Sequence, residues 1–143
     1  MTPYQRAKQS HAHCVVCGKV VEHASPFDLH FTPDGDSGVC ASLQVTAQHQ
    51  GYNGLQHGGL TATLLDAAMT HCLFWQGVMA VTAELTVRYL APIQIGDRLQ
   101  LAATVLQQRH GIYQLTATLH RETTLVARGN AKFLRPPPGV LTP

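Results

Sequence analysis

The sequence predicts an α+β fold in which an antiparallel sheet wraps around one long central helix. Three observations carry this. A single apolar helical stretch runs from about His57 or Gly58 to Trp75. After it come runs of alternating apolar and polar residues separated by turn signals, and a hairpin signal precedes it. One helix, a hairpin before it and a meander of strands after it place the chain in the α+β class.

Taken in order, residues 1–27 form a polar, His-rich leader without periodicity, expected as irregular chain or a short helix. Asp28 to Thr32 alternates and is expected as a strand, and Pro33-Asp34-Gly35-Asp36-Ser37-Gly38 is a strong turn signal. Val39 to Ala47 then returns as the second arm of a hairpin. Gln48 to Gln56, with two glycines and an asparagine, reads as a loop. In the helix, Leu60, Leu64, Ala68, Cys72 and Trp75 recur at spacings of four, four, four and three, an apolar stripe that Leu65 and Met69 widen. Gly77 is its stop. Val78 to Leu90 alternates until Pro92 ends the strand. Leu99–Gln108, Ile112–Arg121 and Leu125–Leu134 are three more strands, turned at Arg109-His110-Gly111 and at Arg121-Glu122-Thr123-Thr124. Pro136-Pro137-Pro138-Gly139 ends the ordered part, so residues 28–135 are expected as one domain and 136–143 as a loose tail.

At 143 residues the chain is long enough to bury about two-thirds of its unfolded surface. A formal net charge of only +2, with no cationic stripe, argues against a nucleic-acid partner. No apolar run reaches the roughly 18 residues that span a bilayer, and no hydrophobic segment follows Met1–Arg6, so no membrane association and a cytoplasmic location are expected. Cys14, Cys17, Cys40 and Cys72 are then expected as reduced thiols, Cys72 as helix packing. With 45% hydrophobic residues and few charges, some apolar surface is expected to be covered by other copies of the chain.

The chemistry concentrates in His57-Gly58-Gly59-Leu60-Thr61-Ala62-Thr63-Leu64-Leu65-Asp66. Gly58 and Gly59 place unshielded N–H groups at the positive end of a helix, which suits a developing oxyanion. Asp66 lies among Leu64, Leu65, Ala67, Ala68 and Met69, where a helix interior does not call for an acid. Amides that hold an anion plus a partly desolvated carboxylate are the parts of a hydrolytic acyl-transfer site. Nine residues separate His57 from Asp66, roughly 13 Å along a helix axis and on about opposite faces. One helix cannot present both to one substrate carbon, so a functional pair requires two chains.

These motifs, with Val81-Thr82-Ala83-Glu84-Leu85-Thr86-Val87-Arg88-Tyr89-Leu90-Ala91-Pro92 and Ile95-Gly96-Asp97 after them, resemble the hotdog-fold acyl-CoA thioesterases, in particular the phenylacetyl-CoA-type (PaaI-like) branch and the mitochondrial acyl-CoA thioesterases related to it. The resemblance runs from about Asp28 to Leu134. It implies a hotdog fold and hydrolysis of an acyl-CoA to free acid and coenzyme A, coenzyme A being part of the substrate and no further cofactor being needed. It implies Asp66 as general base or nucleophile, the Gly58 amide as oxyanion donor, and His57 as a group orienting the thioester or its loop. Thr82 would position the water or the acid, and Gly59 would contact substrate. Gln50 and Asn53 are loop candidates for substrate binding. Arg109, His110 and Gly111 fall where related enzymes contact coenzyme A, and Arg88, Lys132 and Arg135 are further phosphate candidates. Apolar Leu60, Thr61, Leu64, Phe74 and Trp75 are candidates to line the acyl pocket. The resemblance also implies a homodimer, or a dimer of dimers, with shared sites. Two departures stand out: Gly51 occupies the position where several members carry Asn, and Ala67 replaces a second acid.

Two other readings compete. One is an acyl-CoA-binding hotdog protein without catalysis, or a dehydratase-like relative, although the His-Gly-Gly-x7-Asp frame is not that of the dehydratases. The other is a zinc-binding interaction module built on the leader, where His13-Cys14-Val15-Val16-Cys17-Gly18 is flanked by His11 and His23. A single Cys-x-x-Cys is only half of a zinc signal, and no metal is assigned on the sequence alone.

Overall fold

Residues 1–19 and 25–141 are described by the computed structural model. His23 of the leader and residues 142–143 of the tail lie outside them. The elements are α1 (Pro3–Gln9), β1 (Thr32–Asp34), β2 (Gly38–Gln44), a 3-10 turn (Ala47–His49), α2 (Gly58–Trp75), β3 (Val81–Tyr89), β4 (Arg98–Arg109), β5 (Ile112–Arg121) and β6 (Thr124–Leu134). All six strands pair antiparallel in the order β1-β2-β4-β5-β6-β3, and α2 packs on one face, the hotdog arrangement.

The helix and the last four strands fall within three residues of their expected bounds, because hydrophobic period carries them. The first hairpin differs. Phe27, Leu29 and Phe31 are buried while Asp28 and His30 are exposed, so the alternation is real. Yet the ladder begins only at Thr32, which pairs with Cys40. The 28–31 segment packs one face on the core ahead of the paired strand, so period two reports burial there and not pairing. The turn tightens to Gly35–Ser37, with Gly35 at φ +70°.

Helix α2 is buried nearly all round between Leu64 and Phe74, so the expected stripe is too narrow. One side faces the sheet. Another meets α1, whose Tyr4 and Ala7 pack on Phe74, while Tyr4 stacks on Trp75 at 4.1 Å between ring centroids. Phe74 and Trp75 are therefore tied to the leader, and Leu64 is in the main core. The leader's helix is set by Thr2, which accepts from Gln5 N while Gln5 Oε1 accepts from Thr2 N, a capping box ahead of Pro3.

The Ile95-Gly96-Asp97 motif is a structural turn. Gly96 sits at φ +93°, and Asp97 Oδ2 accepts from Gln94 N at 2.8 Å and pairs with Arg121 at 3.0 Å. No described helix is long and apolar enough to cross a membrane.

Candidate active site

At the N-terminus of α2, His57 is the N-cap, and its Nδ1 accepts from Gly59 N at 2.8 Å. A Cβ on Gly59 would lie 3.0 Å from His57 Cε1 and Nδ1, so glycine there is what lets the imidazole reach back. The His57 carbonyl takes the Leu60 and Thr61 amides. Gly59, expected to offer a free amide, has thus lost it to the cap. Gly58 N–H has no acceptor among the described residues, and its exposed position leaves that donor open. Tyr89, at the end of β3, donates from its hydroxyl to Gly58 O at 2.7 Å and holds this terminus to the sheet. Sequence reasoning missed Tyr89, since a tyrosine in a strand looks like any β-former.

Residues 49–56 wrap this corner. His57 N donates to His49 O at 2.7 Å, Gly51 N to Leu55 O, and Leu55 N to Tyr52 O. Gln50 spends its amide inside the loop, with Nε2 donating to Ala47 O and Oε1 accepting from Gly54 N. Asn53 is exposed at the loop tip. A Cβ at Gly51 would fall 3.1 Å from His57 Cα, so the asparagine common at this position in relatives does not fit without a shift. Gln56, also missed, is buried and donates to Thr61 Oγ1 at 2.8 Å, leaving its Oε1 without a partner. Gly51, Tyr52, Gln56, His57, Gly58 and Tyr89 line a cleft of about 810 Å³.

Asp66 opens into a different cavity, of about 380 Å³, walled by Ala62, Thr63, Thr70 and His71 of α2, by Leu85 of β3, and by His11, Cys14 and Cys17 of the leader. The carboxylate is half-buried, and Thr82 Oγ1 donates to its Oδ1 at 2.6 Å. Among the described residues Oδ2 has no partner. A β-bulge follows Thr82: it pairs with Phe133 and Glu84 with Lys132, leaving Ala83 as the extra residue that resets the alternation. The structure therefore joins Thr82 to Asp66 and keeps both away from His57 and Gly58.

The Arg109-His110-Gly111 turn is made by positive φ at His110 and Gly111, as a two-residue hairpin requires. It lies at the Thr82 end of the sheet but three strands across, since Thr82 pairs to Phe133, Phe133 to Tyr113 and Tyr113 to Gln108. In one chain it meets neither cavity. Arg135 is engaged with Tyr113, its Nε donating to the hydroxyl at 2.9 Å.

Burial and charge set the titrating groups around the Asp66 cavity. Desolvation, with Cys14 beside it, pushes the Cys17 thiol up to about 12. Burial lowers the His11 pKa, against a smaller upward pull from Asp66. His71 is lowered to about 3, first by burial and then by Lys8 and His11. Its Nδ1 bonds the Tyr4 hydroxyl at 2.8 Å, its ring stacks on Phe31, and its Nε2 is unpartnered. The unfolded chain takes up a proton near pH 6.5 that the folded chain refuses until about 3. The stabilisation from neutral His71 is thus complete above pH 6.5 and is lost as pH falls toward 3, at up to about 1.4 kcal/mol per pH unit. Urea midpoints between pH 7 and 4 should drop less steeply for His71→Asn than for the wild type; parallel slopes would remove His71 as the cause.

Residues 53–128 match the model of the thioesterase superfamily. Mouse acyl-coenzyme A thioesterase 13 is 33% identical over 95 residues, covering 64% of this chain and 67% of the mouse protein. The Escherichia coli PaaI protein, from the phenylacetic acid degradation operon, superposes with a TM-score of 0.70 at 25% identity, covering 75% of this chain and 82% of PaaI. A crystallised thioesterase superfamily protein superposes with a TM-score of 0.74 at 24% identity; the match covers 85% of this chain but only 63% of that protein.

Proposed function

The chain belongs to the thioesterase superfamily and is a thioester hydrolase, and from that premise we propose that it hydrolyses acyl-CoA at a site shared between two copies. Asp66 supplies the base that activates water, or the nucleophile itself; Thr82 orients that carboxylate, and the Gly58 amide holds the oxyanion. His57 acts by shape. Because its Nδ1 accepts from Gly59, the ring carries its proton on Nε2 and fixes the corner that aims the Gly58 amide. Coenzyme A enters as part of the substrate, and the exposed Arg109 offers charge for its phosphates, with His110 beside it as a further polar contact.

The observation that carries this reading is the half-buried Asp66 carboxylate, with one oxygen tied to Thr82 and the other free toward a cavity. A half-buried carboxylate with one oxygen unpartnered costs stability, and a role in the reaction would account for its being there. Support for two copies comes from the sheet edge. Nine-residue β3 has an open ladder on one side, and Val81, Tyr89 and Leu90 are exposed there at 40%, 55% and 46%. A long apolar edge strand is a template for pairing with a second chain.

Release of free coenzyme A, followed with a thiol reagent over short, medium, long and aromatic acyl-CoAs, tests the reading. Saturable turnover is expected on at least one class. A chain that hydrolyses none of them above background does not act on acyl-CoA.

A further inference from the structure

The leader carries a cluster that acyl transfer does not use. A ring nitrogen of His11, Cys14 Sγ and Cys17 Sγ all lie within 4.8 Å of one another, and His11 Nδ1 to Cys17 Sγ is 3.6 Å. Zinc binds sulfur at about 2.3 Å and imidazole nitrogen at about 2.05 Å, and a tetrahedral angle between them separates N and S by about 3.6 Å. The 3.6 Å between His11 Nδ1 and Cys17 Sγ matches that of two ligands on one tetrahedral ion.

The backbone around the two sulfurs is built the same way. Val16 N donates to Cys14 Sγ at 3.4 Å, an amide aimed at sulfur that a thiolate ligand needs and a neutral thiol does not. Cys14 N donates to His11 O and Gly18 N to Cys14 O, closing the turn that points both sulfurs one way. Gly18 is required by that turn: a Cβ there would sit 2.6 Å from Ala12 O, Cys14 N and Cys14 O. His11 is oriented from outside the cluster, its ring standing edge-on to Phe74 at 4.8 Å.

We propose that His11, Cys14 and Cys17 form a three-ligand site for one zinc-class divalent ion, with its fourth position open to the cavity that Asp66 lines. Three protein ligands and an open position leave room for water or a substrate group. The ion would also pin the leader over α2, because the same three residues, with Val16, form the leader's wall of that cavity. Any effect of the ion on turnover rests on the proposed acyl-CoA reading; metal binding and the pinning of the leader do not.

The test uses the full chain, reduced and stripped with a chelator, then titrated with Co²⁺ and, separately, loaded with Zn²⁺ and desalted. Thiolate-to-cobalt charge-transfer bands with tetrahedral d–d bands, saturating at about one ion per chain, are expected. Zinc by elemental analysis should also reach about one per chain. Cys14→Ser, Cys17→Ser and His11→Ala should each cut cobalt affinity by at least about tenfold, while Cys40→Ser in β2 leaves it unchanged. The wild-type spectrum decides even if a variant fails to fold. Absence of those bands in reduced wild-type protein overturns the proposal, as does stoichiometric binding that survives loss of both Cys14 and Cys17. Alkylation and mass measurement that find a Cys14–Cys17 disulfide in the isolated protein would assign the pair to redox chemistry and overturn it too. A chain that binds one ion but hydrolyses no acyl-CoA would leave this site standing and remove only the activity reading.

Discussion

An Asp66→Asn variant is expected to lose thioester turnover by a factor of about 10² to 10⁴ while keeping its fold. The side chain is half-buried on α2, and its one polar partner is the Thr82 hydroxyl, which donates to it. Asparagine offers an oxygen in the same place, so Thr82 keeps its acceptor and the flanking Leu65 and Ala67 keep their packing. Only the charge is gone, and with it both the basicity and the nucleophilicity that hydrolysis needs. Circular dichroism and a thermal midpoint within a few degrees of wild type establish that the fold holds. A near-wild-type kcat on every acyl-CoA that the parent hydrolyses would take Asp66 out of the chemistry. The loss alone does not separate base from nucleophile; trapping of an acyl-enzyme on the carboxylate does.

Much of this site was legible because two unlike signals coincided in one helix. Gly58-Gly59 marks a helix start, and Asp66 is an acid where the apolar pattern forbids one. β4, β5 and β6 were legible because each alternates buried and exposed positions over part of its length, while β3 at the sheet edge half-buries only Leu85 and Val87. What escaped is what depends on tertiary contact. No pattern shows that His57 takes the Gly59 amide, because a cap through Nδ1 is a matter of ring orientation. The leader's seven-residue helix is too short for periodicity to speak, yet its Tyr4 reaches His71 across 67 positions in sequence. Residues 28–31 show the converse: alternation without a partner strand. Nor does any local pattern announce that Phe74 and Trp75 meet the leader's Tyr4.

Gly58→Pro should be as damaging to turnover as Asp66→Asn, and two such inactive variants should restore activity when mixed. Gly58 is the first residue of α2, where proline is favoured, and His57 before it already has φ −60° and ψ 130°, the extended conformation that proline demands of its predecessor. A Cβ there would meet the Tyr89 ring at 3.6 Å, an ordinary contact. Its N–H bonds nothing else in the described chain, so the substitution deletes the proposed oxyanion donor and little more. In one chain that amide and Asp66 open into separate cavities, eight residues and roughly 12 Å apart along α2. A working site must then join Gly58 of one chain to Asp66 of the partner subunit. In a two-fold dimer of Asp66→Asn with Gly58→Pro, one site carries both lesions and the other carries none. Random exchange makes half of the dimers mixed, so activity should return to about a quarter of wild type. Native mass spectrometry establishes that mixed dimers have formed. Mixed dimers without activity would mean that each site is built within a single chain, and the shared-site reading would fall with them.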